Sequence, residues 1–173
     1  MKELHVLISE EELTKKIKNV ADEINAHFGE KEDLTVVCVL KGAIMFCSHL
    51  IKYLKMPVKL ECVRLSSYGA DTKSSGKIKA LDLTLPPLEG KNVLVVEDII
   101  DTGLTIKFLK DYIEATLKPK ELRVAAMADK KMARVNEVQP DFYGFEVDDK
   151  FIVGFGLDYD QIYRNLPYIG YFE

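Results

Sequence analysis

Three acids and three small hydroxyl or glycine residues crowd between Glu97 and Thr105, and no other stretch of the chain offers as much chemistry. Glu97 and Asp98 are adjacent, Asp101 follows, and Thr102, Gly103 and Thr105 come directly after it. Grouped acids suit a divalent cation or sugar hydroxyls. Hydroxyls and a glycine at the start of a helix suit a phosphate, because the first four N–H groups of a helix lack an internal partner and the macrodipole adds roughly half a positive charge there. Together they suit one ligand carrying phosphate, sugar and metal. The plain alternative is a solvated loop with Thr102 as N-cap.

The flanking elements favour the first reading. Val93 to Val96 are four consecutive apolar residues, the pattern of a short strand buried on both faces. From Thr105 onward, Phe108, Leu109, Tyr112, Ile113 and Thr116 recur with helical period. The segment thus reads as strand, acidic loop over Glu97–Asp101, and helix N-terminus. Leu34–Leu40 is a second buried-strand pattern. It breaks at Lys41-Gly42 and resumes as a helical run over Ala43–Lys55, before Pro57. That is a second helix start with a cation attached, which suits a diphosphate.

Further strands are predicted over Val58–Leu65, Ala80–Leu85, Leu122–Ala128, Asp141–Glu146 and Phe151–Leu157. Ser9 with Glu12 forms a capping box. It opens a helix whose core stripe is Leu13, Ile17, Val20, Ala21, Ile24 and Phe28, ending at Gly29. Alternating strands and helices predict an α/β fold, a mostly parallel twisted sheet flanked by helices. Ligands of such sheets collect at the C-terminal strand ends. Lys130, like Lys41, stands just past one, although a lysine there also serves loop solubility.

Several signatures are excluded. Gly69 and Gly76-Lys77 are too far apart for a phosphate-binding P-loop, and Ile78 stands where Ser or Thr is required. Gly154 and Gly156 lack the third glycine of a dinucleotide fingerprint, Tyr159 occupying that place. A net charge of −4 argues against a general nucleic-acid binder. No early signal segment is present, and no apolar run approaches the roughly 20 residues of a membrane span. With 173 residues, 47% of them hydrophobic, the chain suits one globular domain. Cys38, Cys47 and Cys62 have neither disulfide-framework nor zinc-site spacing and read as small core residues in a reducing cytoplasm. His5 and His27 stand alone and are not expected to be ligands.

The run V-L-V-V-E-D-I-I-D-T-G-L-T resembles the phosphoribosyl-diphosphate signature of type I phosphoribosyltransferases. The aspartate before Thr102-Gly103 makes it most similar to the 6-oxopurine branch, the hypoxanthine-guanine phosphoribosyltransferases. L-K-G at 40–42, S-S-Y-G at 66–69, Lys130 and the tail from Pro140 to Tyr159 resemble the other family motifs, in the family's order. The resemblance implies a Rossmann-like sheet in a single domain, 1–173. Its core would span about 9–145, under a small hood built from the N-terminal arm and about 146–173.

It further implies transfer of phosphoribose from its diphosphate, with Mg²⁺, to N9 of hypoxanthine or guanine. The products would be IMP or GMP and diphosphate, with xanthine left open. Residue by residue, Lys41, Gly42 and Arg164 would hold the diphosphate, with a cis peptide at Leu40–Lys41. Thr102, Gly103, Leu104 and Thr105 would hold the 5′-phosphate, and Glu97 and Asp98 the ribose hydroxyls and metal. Asp101 would be the general base. Lys130, Phe151, Ile152 and Asp158 would line the purine subsite, Asp158 also reaching a second metal ion, and Ser67 and Tyr68 would form a lid. Homodimers or homotetramers are expected. Two alternatives remain: a non-catalytic regulator sensing phosphoribosyl diphosphate or nucleotides on the same fold, and a prenyl-diphosphate acidic motif. The second belongs in long helices, whereas these acids follow a strand.

Overall fold

The computed structural model describes residues 2–67, without the Ser67 side chain, and 77–173. The expected lid pair therefore falls outside the described residues, Tyr68 entirely and Ser67 in its side chain. The remaining chain forms β1 (Leu4–Ile8), α1 (Glu10–Phe28), β2 (Leu34–Leu40), α2 (Ile44–Ile51), β3 (Val58–Ser67) and β4 (Ile78–Asp82). It continues with β5 (Asn92–Ile100), α3 (Leu104–Tyr112), β6 (Glu121–Asp129), β7 (Phe142–Glu146), β8 (Ile152–Val153) and β9 (Ile169–Phe172). Six strands make the main sheet in the order β4-β3-β2-β5-β6-β7, parallel except for β4, so the α/β expectation holds. Strands β1, β9 and β8 form a separate antiparallel sheet, joining the first described strand to the last.

Burial explains the parallel arrangement. In β2 and β5 alternate residues feed two different cores. Val36, Cys38, Leu94 and Val96 pack with Leu13, Ile17, Val20 and Ile24 of α1 and Phe46 and Leu50 of α2. Val37, Val39, Val93 and Val95 pack with Ile106 and Leu109 of α3 and with Ile113. Each such side chain withdrawn from water contributes about 1.5–3 kcal/mol. Ser9 caps α1 as predicted, accepting a hydrogen bond from the Glu12 N–H at 3.2 Å, and Gly29 ends it at φ 73°.

Three boundaries and the burial of one cysteine differ from the sequence reading, each for a visible reason. Helix α2 stops at Ile51 rather than Lys55, because Asn25 captures the following turn, accepting from the Lys55 N–H at 2.9 Å and donating to the Tyr53 carbonyl at 3.0 Å. The strand expected over Ala80–Leu85 is Ile78–Asp82, ended by Asp82 accepting from the Thr84 N–H. The strand expected over Phe151–Leu157 is only Ile152–Val153. Gly154, Phe155 and Gly156 all take positive φ and turn the chain, Gly154 and Leu157 closing on each other. Cys62 is exposed, unlike Cys38 and Cys47. It lies opposite Cys38 in register on the face that carries α2, but α2 packs on β2 and β5, leaving Leu60 and Cys62 uncovered.

The main sheet changes winding direction between β2 and β5. From β2 the chain proceeds outward to β3 and β4; from β5 it proceeds the other way to β6 and β7. The connections after these two neighbouring strands therefore diverge and leave a crevice at their C-terminal ends. The turn after β8 closes one end of this crevice, with the backbone of Gly156 seated on the Gly42 carbonyl. A Cβ at Gly156, whose φ is 99°, would collide with that carbonyl. Gly156→Ala should lower the unfolding free energy by at least about 2 kcal/mol in urea titrations, whereas an unchanged midpoint would show that this seat is not required.

Candidate active site

Strand β5 runs four residues past its predicted end, and the candidate site depends on that extension. Pairing with β2 ends at Cys38–Val96, but pairing with β6 continues through Glu97–Ala126, Ile99–Ala128 and Ile100–Asp129. Glu97 and Asp98 are therefore strand residues held on one edge only, not loop residues as the sequence reading had them. On the freed edge, β2 has turned away through Leu40–Lys41, whose peptide bond is cis. The Gly42 backbone there packs so tightly on the Asp98 carboxylate that a Cβ at Gly42 would overlap Asp98 Oδ2.

The result is a cleft of about 540 Å³. Glu97 and Asp98 line it from β5 and Asp101 from just after it; Gly103 and Thr105 from the start of α3; Gly42, Asp158 and Arg164 from the opposite side. Glu97 is almost wholly buried. Burial first, and the charge of Asp98 next, push its carboxyl well above the ordinary range. Burial also raises Asp98, although hydrogen bonds from Glu97 and the Ile99 N–H pull the other way. Two buried carboxyls this close favour sharing a proton, or a cation, over carrying two bare charges.

Helix α3 begins at Gly103, whose φ of 84° makes it the N-cap residue in place of Thr102. The Thr102 hydroxyl instead accepts weakly from the Leu104 N–H at 3.4 Å. The first helical bond runs from the Lys107 N–H to the Gly103 carbonyl, so the N–H groups of Thr105 and Ile106 precede any intrahelical partner. The loop carbonyls point elsewhere. Ile100 O accepts from the Lys130 N–H at 2.9 Å and Thr102 O from the Val135 N–H at 3.0 Å. With the carbonyls turned towards the 130–138 segment, the opposite side of the loop is left to the N–H groups, as an anion requires.

Arg134 organises that backing, and nothing in the sequence reading singled it out. Its Nε donates to the Asp101 carbonyl at 3.0 Å and its Nη2 to the Ile100 carbonyl at 3.2 Å. It also ion-pairs with the buried Asp129 and donates to the Val138 carbonyl. The Asp101 side chain is left exposed, accepting a 2.7 Å bond from the Thr102 N–H.

Lys41 and Arg164 meet on the far side of the cleft through a second residue that the sequence reading passed over. Both donate to Gln161 Oε1, at 3.1 and 3.2 Å. Arg164 also reaches the Gly156 carbonyl at 2.7 Å and Asp158 Oδ1 at 3.3 Å. Asp158 has both oxygens engaged, Oδ2 accepting from the Gln161 N–H at 2.9 Å. Among the described residues no three acidic, histidine or cysteine groups converge closely enough to hold a metal ion unaided.

Of the expected purine residues, Asp158 lines the cleft and Lys130, Phe151 and Ile152 do not. Lys130 is tied to it through its backbone bond to Ile100, but its Nζ donates to the Lys150 carbonyl at 3.2 Å. Phe151 is 56% exposed and packs edge-on against Tyr159, while Ile152 is buried in β8.

The linkage between charge and stability has a definite sign at Glu97. A carboxyl whose folded pKa is raised stabilises the folded chain below its unfolded pKa, and this contribution is lost as pH rises through the raised value. Glu97→Gln, which stays neutral, should therefore raise the thermal midpoint of metal-free protein at pH 8, with the gap narrowing towards pH 5. A gap independent of pH would contradict the burial argument.

The Phosphoribosyl transferase domain family matches residues 8–160. The Hypoxanthine-guanine phosphoribosyltransferase of Bacillus subtilis is 42% identical over 165 residues, 95% of this chain and 91% of that protein. That of Aquifex aeolicus is 43% identical over 166 residues, 96% of this chain and 93% of the relative. Among solved structures, a hypoxanthine-guanine phosphoribosyltransferase of Bacillus anthracis, with a HEPES molecule in its active site, superposes with a TM-score of 0.91. It is 42% identical, over 96% of this chain and 97% of that one.

Proposed function

The chain belongs to the phosphoribosyltransferase family, and within it we propose an enzyme of purine salvage. In this reading phosphoribose passes from phosphoribosyl diphosphate to N9 of hypoxanthine or guanine, and diphosphate is released. The reading is carried by one observation: the acid pair, the start of α3 and Arg164 line one cleft, with Lys41 tied to it through Gln161. Relatives named as hypoxanthine-guanine phosphoribosyltransferases over almost their full length support the enzyme rather than the sensing regulator.

The chemistry assigns each wall a task. N9 of the base attacks C1′ of the ribose as the bond from C1′ to the diphosphate oxygen breaks, and the diphosphate leaves with the bonding electrons. Lys41 and Arg164 accept the charge that develops on it. The 5′-phosphate rests on the N–H groups and hydroxyls of Thr102–Thr105. Asp101, exposed to the cleft but with its main chain clamped by Arg134, takes the proton from N7 of the purine. Lys130 donates to the exocyclic oxygen, Phe151 stacks on the ring and Ile152 offers backbone groups to its edge. Both Lys130 and Phe151 must leave their present partners to do so.

Glu97 and Asp98 fit a divalent cation, read here as Mg²⁺, because two raised, adjacent carboxyls are offset only in part, by Arg164 acting on Asp98. With only two protein carboxylates at hand, substrate oxygens would complete its shell, and it would supply charge neutralisation for the leaving group. Asp158 would reach a second metal ion, or contact the base, only on releasing Arg164 or Gln161.

The small sheet is the hood of this one-domain enzyme. Free cysteines fit a reducing cytoplasm, and half-exposed Ile44 and Leu60 fit burial in a homodimer or homotetramer.

Incubation with hypoxanthine, phosphoribosyl diphosphate and Mg²⁺ should yield inosine monophosphate; no product would refute the reading. Asp101→Asn should cut kcat by about 10²–10⁴-fold with much smaller changes in KM, and an unchanged kcat would remove Asp101 as the base. Lys130→Ala should raise KM for the purine alone, so that equal losses for both substrates would contradict its role.

A further inference from the structure

Lys41 and Arg164 reach the cleft from distant parts of the chain, one from the turn after β2 and the other from the segment between β8 and β9. Two cations drawn together repel, and each needs a reason to stay. Both nitrogens lie within 3.2 Å of a single oxygen, the carboxamide Oε1 of Gln161.

The Gln161 main chain is itself held in an unusual state. Asp160 and Gln161 take φ of 52° and 68° as the two central residues of a tight turn closed by reciprocal Tyr159–Ile162 bonds. Glycine, asparagine and aspartate ordinarily fill such positions. The Gln161 N–H is anchored on Asp158 Oδ2, which fixes the direction in which the side chain leaves.

We propose that Gln161 is a positioning residue for the diphosphate end of the substrate. Its amide oxygen sets the spacing of Lys41 Nζ and the Arg164 guanidinium. Arg164 Nε is buried with no acceptor among the described residues, so the hydrogen-bonding capacity of this guanidinium is not fully spent. The same oxygen ties the turn after β2 to the small sheet, so the two halves of the cation pair move together.

This role rests on the phosphoribosyltransferase reading, yet its central test does not need turnover. Inorganic diphosphate binding, followed by titration calorimetry on the intact chain, reports on the pair directly. Gln161→Leu removes the acceptor at similar volume. It should weaken diphosphate binding and raise KM for phosphoribosyl diphosphate by about 10-fold, the scale of one lost charge-assisted hydrogen bond. KM for hypoxanthine should stay within about two-fold and the thermal midpoint should not move. Gln161→Asn suits the turn but falls one methylene short, and should give the same loss. Gln161→Glu keeps the acceptor in reach and should restore both constants to within about three-fold of the parent.

Unchanged diphosphate affinity in Gln161→Leu overturns the proposal, as do equal losses for both substrates or a loss that Gln161→Glu fails to repair. A parent chain that binds diphosphate but makes no nucleotide overturns the functional reading instead, and leaves the calorimetric comparison to decide on Gln161.

Discussion

Placing Glu97 and Asp98 side by side at the end of a strand buried on both faces is the constraint on which the rest of the structure depends. Desolvation makes two neighbouring carboxylates unfavourable unless positive charge is brought to them. Nothing among the described residues discharges them fully: Arg164 eases Asp98, but it is shared with Asp158, Gln161 and the Gly156 carbonyl. The fold tolerates the pair because β5 is gripped by β6 along its whole length while β2 peels away, so the acids are fixed in place yet open on one side. Gly42 is the corollary. Only a residue without a side chain lets the turn after β2 lie against Asp98 and carry Lys41 to the rim.

Much of this was legible in the sequence, and the physical reason is burial. The central strands are apolar at every position because both faces pack against helices, so β2 was located to the residue and β5 by its core. Where burial and chemistry conflict, the pattern misleads. Acids at 97 and 98 signal a loop to any rule based on hydrophobicity, although Ile99 and Ile100 after them show that the strand resumes. Cys62 misled in the opposite sense. An apolar surrounding in sequence does not reveal that α2 reaches only as far as β2.

Arg134 and Gln161 mark another limit. Arg134 acts on backbone carbonyls some thirty residues away, and Gln161 on a lysine 120 residues away. Neither residue type, in its local context, carries a signal that distinguishes it from a solvated surface residue. The acids, glycines and hydroxyls could be found because they are contiguous. The residues that orient them could not, because they meet only in three dimensions. Lys130 and Phe151, which the resemblance places at a purine, are an intermediate case, held by Lys150 and Tyr159 rather than by the cleft.

Strands β1 and β9 pair along their length, Leu4 lying opposite Phe172. During synthesis, therefore, the six-stranded sheet is complete once Glu146 has emerged, but the small sheet must wait for Phe172, more than twenty residues later. Arg164 and Gln161 sit inside that waiting segment. A nascent chain can thus complete its main sheet while the Arg164 side of the cleft is still unbuilt. Even the core on the α1 side is unfinished at that stage, because Ile152, Phe155, Leu157 and Ile169 are among the side chains that fill it.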